Sequence, residues 1–195
     1  MDMAEFFDLH AAGWDDGYKE YDPVRYSAAA LSGINEKSRV LDIACGTGVM
    51  FNEYLKLKAS KIVGIDLSEK MISIARKKFA DKKNISLICS DFMNFNAGKF
   101  DTAVMFNAYP HFIDKKKMIR HVAELLTDGG RFTVVHDMGR EHLNYHHKNM
   151  QQDLWTELLP AAEEAEQFSE WFDIDMICDT SYFYMISGII KKSHE

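Results

Sequence analysis

The chain has few of the features that mark secreted or membrane proteins. Its 195 residues include three cysteines, Cys45, Cys89 and Cys178, which show no Cys-x-x-Cys spacing. An odd number of cysteines without that spacing indicates free thiols in a reducing compartment. No apolar run is long enough to span a membrane, and the acidic first residues are unlike a secretory signal. We therefore expect a cytoplasmic protein with no membrane partner.

Positive charge is also scarce. Lysine and arginine together number 23, against 30 aspartate and glutamate residues, which gives a net charge of −7 at pH 7. Nucleic-acid binding requires a basic face that neutralises phosphates, whereas the short lysine runs here are typical of solvated helix ends. The composition therefore predicts no nucleic-acid partner, and the length predicts a single domain over residues 1–195.

Strand-like and helix-like patterns alternate along the chain. Apolar runs predict strands at about 39–44, 61–66, 85–90, 100–106 and 131–137, with helices between them at 48–58, 69–80 and 114–126. Two further strands, at about 172–178 and 181–190, are joined at Asp179-Thr180, so short a joint that they must pair antiparallel. Residues 3–32 are helical in pattern, with a break at Pro23. The alternation predicts an α/β protein.

The most informative stretch is residues 40–48, Val-Leu-Asp-Ile-Ala-Cys-Gly-Thr-Gly. A buried strand followed by a glycine turn and a helix brings backbone N–H groups close to a ligand. The next apolar run ends in Asp66, where a carboxylate can accept hydrogen bonds from both hydroxyls of a ribose. A dinucleotide would need a third glycine where Phe51 stands, and Asp42 suits a positively charged ligand better than a phosphate. The pattern favours a ligand with a ribose and an ammonium group.

These residues resemble the glycine motif D/E-x-G-x-G-x-G of the class I S-adenosylmethionine-dependent methyltransferases. Ala44 stands where the first glycine is usual, and we expect its backbone to have φ < 0, where alanine is tolerated. The resemblance implies S-adenosylmethionine as cofactor, with Asp91 accepting from the adenine amino group and Phe92 packing on the ring. The cofactor-binding residues that it implies are Asp42, Ala44, Gly46, Gly48, Asp66, Leu67, Asp91, Phe92 and Asn107.

The same resemblance implies the architecture. It predicts an α/β, three-layer, doubly wound, mostly parallel seven-stranded sheet with the last strand antiparallel. Within the single domain, residues 1–32 are expected to form a helical lid over a cofactor-binding core at 35–195. The side chains that could line this lid are His10, Trp14, Tyr18 and Tyr21, although aromatics at helical spacing more commonly pack than recognise ligands.

The substrate side is expected at the ends of the fourth and fifth strands, where α/β sites form. Asn107 and His111 follow the fourth strand, and His136 ends the fifth, so these three are the candidate catalytic residues. Imidazole can accept a proton from a nucleophile near neutral pH. An alternative is that His111, His136 and His147 hold a metal ion, but their spacing is not that of a standard metal motif, and we assign no metal site.

Candidate substrate-binding residues lie beside these histidines: Tyr109, Arg140, Asn144 and His147. Arg140, Asn144 and His147 would share one helix face, and Arg140 could pair with a substrate carboxylate or with an acidic neighbour such as Glu141 or Asp137. His142 and His146 are better explained as surface or packing residues. The segment is similar to a subgroup of small methyltransferases with Pro-His-Phe after strand four.

The resemblance therefore implies methyl transfer to a small-molecule substrate. The rival hypothesis is a non-catalytic protein that binds S-adenosylmethionine as a sensor or assembly partner, because the same sheet hosts proteins without turnover. A nicotinamide-dependent dehydrogenase is a third and poorer alternative, because Phe51 replaces the third glycine of the dinucleotide motif and Asp42 would lie beside a phosphate. The sequence does not identify the nucleophile or the oligomeric state.

Overall fold

A computed structural model describes residues 1–18, 22–148 and 154–192 of the chain. Seven strands form one sheet in the order β3-β2-β1-β4-β5-β7-β6, and only β7 runs antiparallel to its neighbours. The strands are β1 Arg39–Ile43, β2 Lys61–Asp66, β3 Ile85–Cys89, β4 Phe100–Phe106, β5 Leu126–His136, β6 Phe172–Asp179 and β7 Tyr184–Ile190. The predicted fold class is confirmed.

Helices cover the sheet and connect its strands. They are α1 Met3–His10, α2 Pro23–Leu31, α3 Phe51–Lys56, α4 Glu69–Lys78, α5 Lys115–Leu125, α6 Arg140–His147 and α7 Ala161–Ala165. Short 3-10 turns occur at Ala11–Gly13, Phe92–Asn94, Tyr109–His111 and Glu166–Phe168. Helix α4 begins as predicted, because the Ser68 hydroxyl accepts a hydrogen bond from the Met71 N–H. In the part of the chain that the structure describes, no helix is both long and apolar enough to cross a membrane.

The core lies on both faces of the sheet. Leu41 and Ile43 pack into one hydrophobic cluster, whereas Val40 packs into another. Strand β4 divides in the same way, with Met105 in the first cluster and Val104 in the second. Because successive strand residues point to opposite faces, this division produces the three layers of the fold.

Two boundaries differ from the expectation. Helix α5 ends at Leu125 and β5 begins at the next residue, so residues 127–130 belong to the strand and the glycine pair does not separate the two elements. The tail strands pair antiparallel as predicted, but four residues, 180–183, join them. In this turn the Thr180 hydroxyl accepts from the Phe183 N–H at 2.9 Å, so the joint is a four-residue turn and not the two-residue one expected at Asp179-Thr180.

Candidate functional site

A cavity of about 370 Å³ lies at the carboxyl ends of the central strands. The strand order reverses at the β1–β4 pair: β2 and β3 follow on one side of β1, and β5 follows on the other side of β4. Open α/β sheets bind ligands at such a switch point. The cavity is lined by eight of the nine predicted cofactor-binding residues: Asp42, Ala44, Gly46, Asp66, Leu67, Asp91, Phe92 and Asn107. The ninth, Gly48, is not among the lining residues, and a Cβ there would lie 2.9 Å from both Phe51 and Phe79. Gly48 therefore permits packing of the turn against the core.

The turn after β1 has a left-handed backbone at three positions. Ala44 has φ +55°, Gly46 has φ +54° and Gly48 has φ +78°. The expectation that Ala44 has φ < 0 was wrong, because the turn imposes a left-handed conformation on this alanine. A left-handed alanine costs about 1–2 kcal/mol. The strain is local to the loop that faces the cavity.

Asp66 ties this turn to the end of β2. Its Oδ2 accepts from the Gly46 N–H at 2.7 Å and its Oδ1 accepts from the Ser68 N–H at 2.9 Å. Burial raises the pKa of the Asp66 carboxyl, and these backbone hydrogen bonds oppose that effect. Each carboxylate oxygen can accept a second hydrogen bond. The group is therefore fixed in position and still has acceptor capacity toward the cavity.

Asp42 is the most strongly perturbed acid of the site. Its residue is 2% exposed, and within the described residues its Oδ2 has no hydrogen-bond partner. Burial raises the pKa of the Asp42 carboxyl to about 8, the nearby Tyr54 hydroxyl offsets part of this, and the Asp66 charge adds to it. A buried carboxyl with an unused oxygen beside a cavity is suited to pair with a cationic ligand group.

Asn107 is held by a residue that the sequence reading did not assign to the site. Its Nδ2 donates to Asp137 Oδ1 at 2.8 Å, and its Oδ1 accepts from the Asp137 N–H at 3.1 Å. The Tyr18 hydroxyl lies 3.5 Å from the same Nδ2. Asn107 has φ +54°, a conformation that asparagine tolerates better than most residues. Asp137 thus positions Asn107, and its place directly after β5 was the signal available in the sequence.

His111 lines the cavity and has a defined tautomer. Its Nδ1 lies 2.9 Å from the Leu154 carbonyl oxygen, which can only accept, so Nδ1 carries the proton and Nε2 keeps a lone pair. The Phe7 ring packs edge-on at 5.1 Å. Burial lowers the pKa of His111 to about 4. The imidazole is therefore neutral at physiological pH and can accept a hydrogen bond.

The other two predicted histidines lie away from the cavity lining. His136 is completely buried, its ring packs 5.8 Å from that of Tyr184, and burial lowers its pKa to about 3. The expectation that it faces the substrate is not met, because β5 pairs with β7 at this residue and turns the ring into the core. His147 stacks on Trp155 and meets the edge of His111 at 5.1 Å. Among the described side chains, no group of three or more His, Cys, Asp or Glu residues is arranged to hold a metal ion.

Three predicted substrate-binding residues have structural partners and do not line the cavity. The Tyr109 hydroxyl donates to Glu164 Oε1 at 3.0 Å inside the core. Arg140 pairs with an acid, but its Nε lies nearest Asp179 Oδ2, at 3.4 Å, and the expected neighbour Glu141 is 3.9 Å away. Asn144 clamps the backbone of Leu158 through two hydrogen bonds of 3.0 Å. Arg140 and Asn144 were placed by helix spacing, which does not specify the side of the helix that packs inward.

The N-terminal segment lies over the cavity. Met3, Phe7, Trp14 and Tyr18 all line it, so the aromatics at 14 and 18 do contact the ligand space, whereas Tyr21 lies outside the described residues. Trp14 Nε1 would be 3.6 Å from a Cβ at Gly46. The indole therefore covers the glycine turn directly.

Two carboxylates of this segment bind it to the cofactor-side loops. Asp8 accepts from the Ser68 hydroxyl and from the Lys70 N–H at the start of α4. Asp15 accepts from the Thr47 hydroxyl at 2.5 Å and pairs with Lys78 at 2.8 Å. Neither carboxylate was identified from the sequence, since these contacts join residues that are 32 to 63 positions apart.

Comparison with known sequences finds a family match over the first half of the sheet. A family described as "Methyltransferase domain" matches residues 40–130. A malonyl-[acyl-carrier protein] O-methyltransferase from Ilyobacter polytropus is 32% identical over 103 residues, which cover 52% of this chain and 38% of that protein. The first curated relatives are matched over 38–58% of their own lengths.

Comparison with solved structures agrees at the level of the fold. One match is to a chain of a Haloferax volcanii complex between the Trm112 methyltransferase activator and a methyltransferase. The match covers 100% of this chain and 100% of that chain, with 19% identity and a TM-score of 0.83. The N-methyltransferase NodS of Bradyrhizobium japonicum, solved with S-adenosyl-L-homocysteine, matches 98% of this chain and 100% of its own, with 14% identity and a TM-score of 0.78.

Proposed function

We propose that the chain, which resembles the class I S-adenosylmethionine-dependent methyltransferases, binds S-adenosylmethionine in this cavity and transfers its methyl group to a small molecule. The observation that carries the proposal is the convergence of Asp42, Asp66 and Asp91 on one cavity. Each acid ends or follows a different strand, and together they match the groups of such a cofactor in charge and hydrogen bonding.

The residues present fit the cofactor. Asp66 has acceptor capacity for ribose hydroxyls, and the Asp42 oxygen without a partner in the described chain fits an ammonium group. Asp91 accepts from the Met93 N–H at 2.9 Å and keeps its other oxygen's lone pairs, while Phe92 offers a ring at the cavity wall. Gly46 leaves room under Trp14 for close approach of a ligand to the backbone.

The mechanism requires few catalytic groups from the chain. The cofactor supplies a methyl group bound to a positively charged sulfur. The protein aligns a nucleophile with that methyl group and excludes water with the N-terminal segment. His111 Nε2 accepts a hydrogen bond from the nucleophile, whose proton passes to solvent after the methyl group is transferred. Because the pKa of His111 is about 4, the ring is a weak base at neutral pH, and its main role is to orient the nucleophile. Asn107 supplies a fixed polar group where β4 ends.

The far end of the cavity suits an apolar or aromatic substrate. Phe7, Phe112 and Ile113 line it beside His111, and the cavity's one lysine or arginine among the described lining residues is Lys117. Its volume of about 370 Å³ is at the small end of the ~300–1,000 Å³ typical of small-molecule sites. The O-methyltransferase and N-methyltransferase similarities do not choose between oxygen and nitrogen nucleophiles, so the proposal names only the size and polarity of the substrate.

Calorimetric titration with S-adenosylmethionine tests the cofactor site. Asp66→Ala should weaken binding by about 1.5–3 kcal/mol, the range for hydrogen bonds to a charged group. A matched control is Asp173→Ala, because Asp173 lies on the β6 edge strand outside the cavity. Equal affinities of the two variants and the unaltered chain would remove the ribose assignment. Tight NADH binding without S-adenosylmethionine binding would overturn the class of ligand.

Transfer of a labelled methyl group to candidate small molecules tests the reaction. Once a substrate is found, His111→Gln should lower turnover by about 10²-fold, the lower end for acid–base groups, because a pKa near 4 is far from the operating pH. Cofactor affinity should hardly change. His142→Gln, on the exposed face of α6, is the control. Full turnover by His111→Gln would assign catalysis to alignment alone.

The alternative function is a cofactor-binding sensor or assembly protein without turnover. The observation in its favour is the similarity to a chain from a complex with the Trm112 activator, which is a protein partner. Two assays of methyl transfer distinguish the hypotheses. The first contains the chain alone with candidate small molecules, and the second also contains cell extract from which small molecules have been removed. Transfer by the chain alone to a small molecule supports the enzyme; cofactor binding without transfer under either condition supports the alternative.

A further inference from the structure

Two histidines on the outer face of α6 form a close pair that methyl transfer does not use. His142 and His146 lie one helical turn apart, both are exposed, and neither lines the cavity. Their Nε2 atoms are 2.9 Å apart and their ring centroids 4.4 Å apart, at an interplanar angle of 79°. The two ring nitrogens are therefore within hydrogen-bond distance of each other at the protein surface.

This geometry suits a shared cation. Two neutral imidazoles can satisfy each other only if one Nε2 carries a proton and the other does not. A metal ion at the usual nitrogen distance of roughly 2.0–2.1 Å from both atoms would make an N–metal–N angle of about 90°. That is the angle between neighbouring ligands in square-planar and octahedral complexes. A tetrahedral ion would need the two nitrogens roughly 3.4 Å apart at the same bond length.

We propose that His142 and His146 form a two-nitrogen binding site for a divalent transition-metal ion of tetragonal preference, Cu²⁺ or Ni²⁺. Solvent completes the coordination, since no group of three or more His, Cys, Asp or Glu side chains converges within the described residues. Imidazole nitrogen and square-planar or tetragonal geometry are both typical of these two ions, and Cu²⁺ has the highest affinity in the divalent series. Zn²⁺, which prefers tetrahedral sites, binds this pair more weakly because the rings must move apart.

The site lies on a helix whose other face supports the cavity. His147, one residue along, packs on Trp155 and against His111, which lines the cavity. Asn144 holds Leu158 through its amide. A metal ion that joins residues four apart stabilises the helical state of α6, because a ligand that binds only the folded form shifts the equilibrium toward it. Metal binding should therefore raise the thermal midpoint of the whole chain.

Titration of the untagged full chain with CuCl₂ or NiCl₂, followed by calorimetry, tests the proposal. We expect one ion per chain, and both His142→Ala and His146→Ala should lower the affinity at least tenfold. His10→Ala is the matched control, since His10 is also exposed but has its Nδ1 2.7 Å from the Phe6 carbonyl oxygen and no second histidine beside it. The control should bind as the unaltered chain does, and far-UV circular dichroism should show that all variants are folded.

Spectroscopy gives an independent readout. The electron paramagnetic resonance spectrum of the copper-loaded chain should show a tetragonal ion with nitrogen ligands, and this signal should be lost in His142→Ala. Equal binding by the unaltered chain and His142→Ala would overturn the proposal. So would Zn²⁺ binding as tight as Cu²⁺ binding, because it would mean that the 90° geometry does not select the ion. None of these outcomes depends on methyl transfer.

Discussion

Replacing Asp42 with asparagine should make the free protein more stable and the cofactor site weaker. The carboxyl is 2% exposed, its Oδ2 has no partner in the described chain, and its pKa is about 8 against an ordinary value of 3.8. The folded state therefore prefers the neutral acid. Asparagine has nearly the same shape and no charge to bury, so Asp42→Asn removes the electrostatic cost.

The magnitude follows from proton linkage. A raised carboxyl pKa means that folding takes up a proton between pH 3.8 and about 8, so stability falls as pH rises through that window. Each pH unit corresponds to about 1.4 kcal/mol, which makes the cost about 4 kcal/mol at pH 7. The asparagine amide would itself be buried with an unsatisfied donor, and this penalty of about 1–3 kcal/mol offsets part of the gain in folding free energy. We expect Asp42→Asn to be more stable than the unaltered chain by about 1–3 kcal/mol at pH 7.

Urea unfolding at pH 5, 6 and 7 measures both the gain and its pH dependence. The gap between Asp42→Asn and the unaltered chain should widen by about 1.4 kcal/mol for each pH unit, since only the unaltered chain takes up the proton. Cofactor titration should show the opposite sign, with affinity lower by about 1.5–3 kcal/mol because a charged partner of the ammonium group is lost. Binding to the unaltered chain should also release a proton, detectable as a binding heat that depends on the buffer.

One result refutes this reasoning. If the two proteins have equal stability at pH 7 and the same slope between pH 5 and 7, then the Asp42 carboxyl does not carry a proton in the folded state. Its burial would then be compensated in the free protein, and cofactor binding should release no proton from it.

Three further predictions concern the turn, the strand end and the N-terminal segment. Ala44→Gly should change stability by less than about 1 kcal/mol and in the stabilising direction, because relief of the left-handed backbone outweighs the added flexibility of glycine; urea unfolding measures it. Asp137→Ala should free Asn107 and lower turnover with little change in cofactor affinity, and equal losses of both would contradict a positioning role. Asp15→Asn should speed cofactor release in stopped-flow measurements while costing less than about 1 kcal/mol of stability, since its ion pair is partly exposed.

The cofactor side of the site was predictable from the sequence because each of its residues has a local signal. Asp42 and Asp66 come at the ends of apolar runs, and parallel strands bring such ends to one edge of a sheet. The alternation of strands and helices predicted an α/β protein, and the resemblance to the methyltransferases implied the seven-stranded sheet. Even here the backbone at Ala44 was mispredicted, since the residue type suggested one conformation and the turn imposed another.

The substrate side was decided by tertiary contacts. His136 and His111 have the same kind of position in the sequence, yet one ring packs against Tyr184 inside the core and the other faces the cavity. Which way a strand-end side chain points depends on register, and here the antiparallel pairing of β5 with β7 sets it. That pairing joins residues almost fifty positions apart.

The sequence by itself determined the alternation of strands and helices and the acids of the candidate cofactor site, because hydrophobic periodicity and strand-end acids are properties of short segments. Only the tertiary structure decided that Asp8 and Asp15 bind the N-terminal segment to the cofactor-side loops and that Asp137 holds Asn107. An aspartate in the sequence looks the same whether its carboxylate contacts solvent or a hydroxyl about sixty residues away. Its partner is chosen by the packing of the whole chain, which no local pattern encodes.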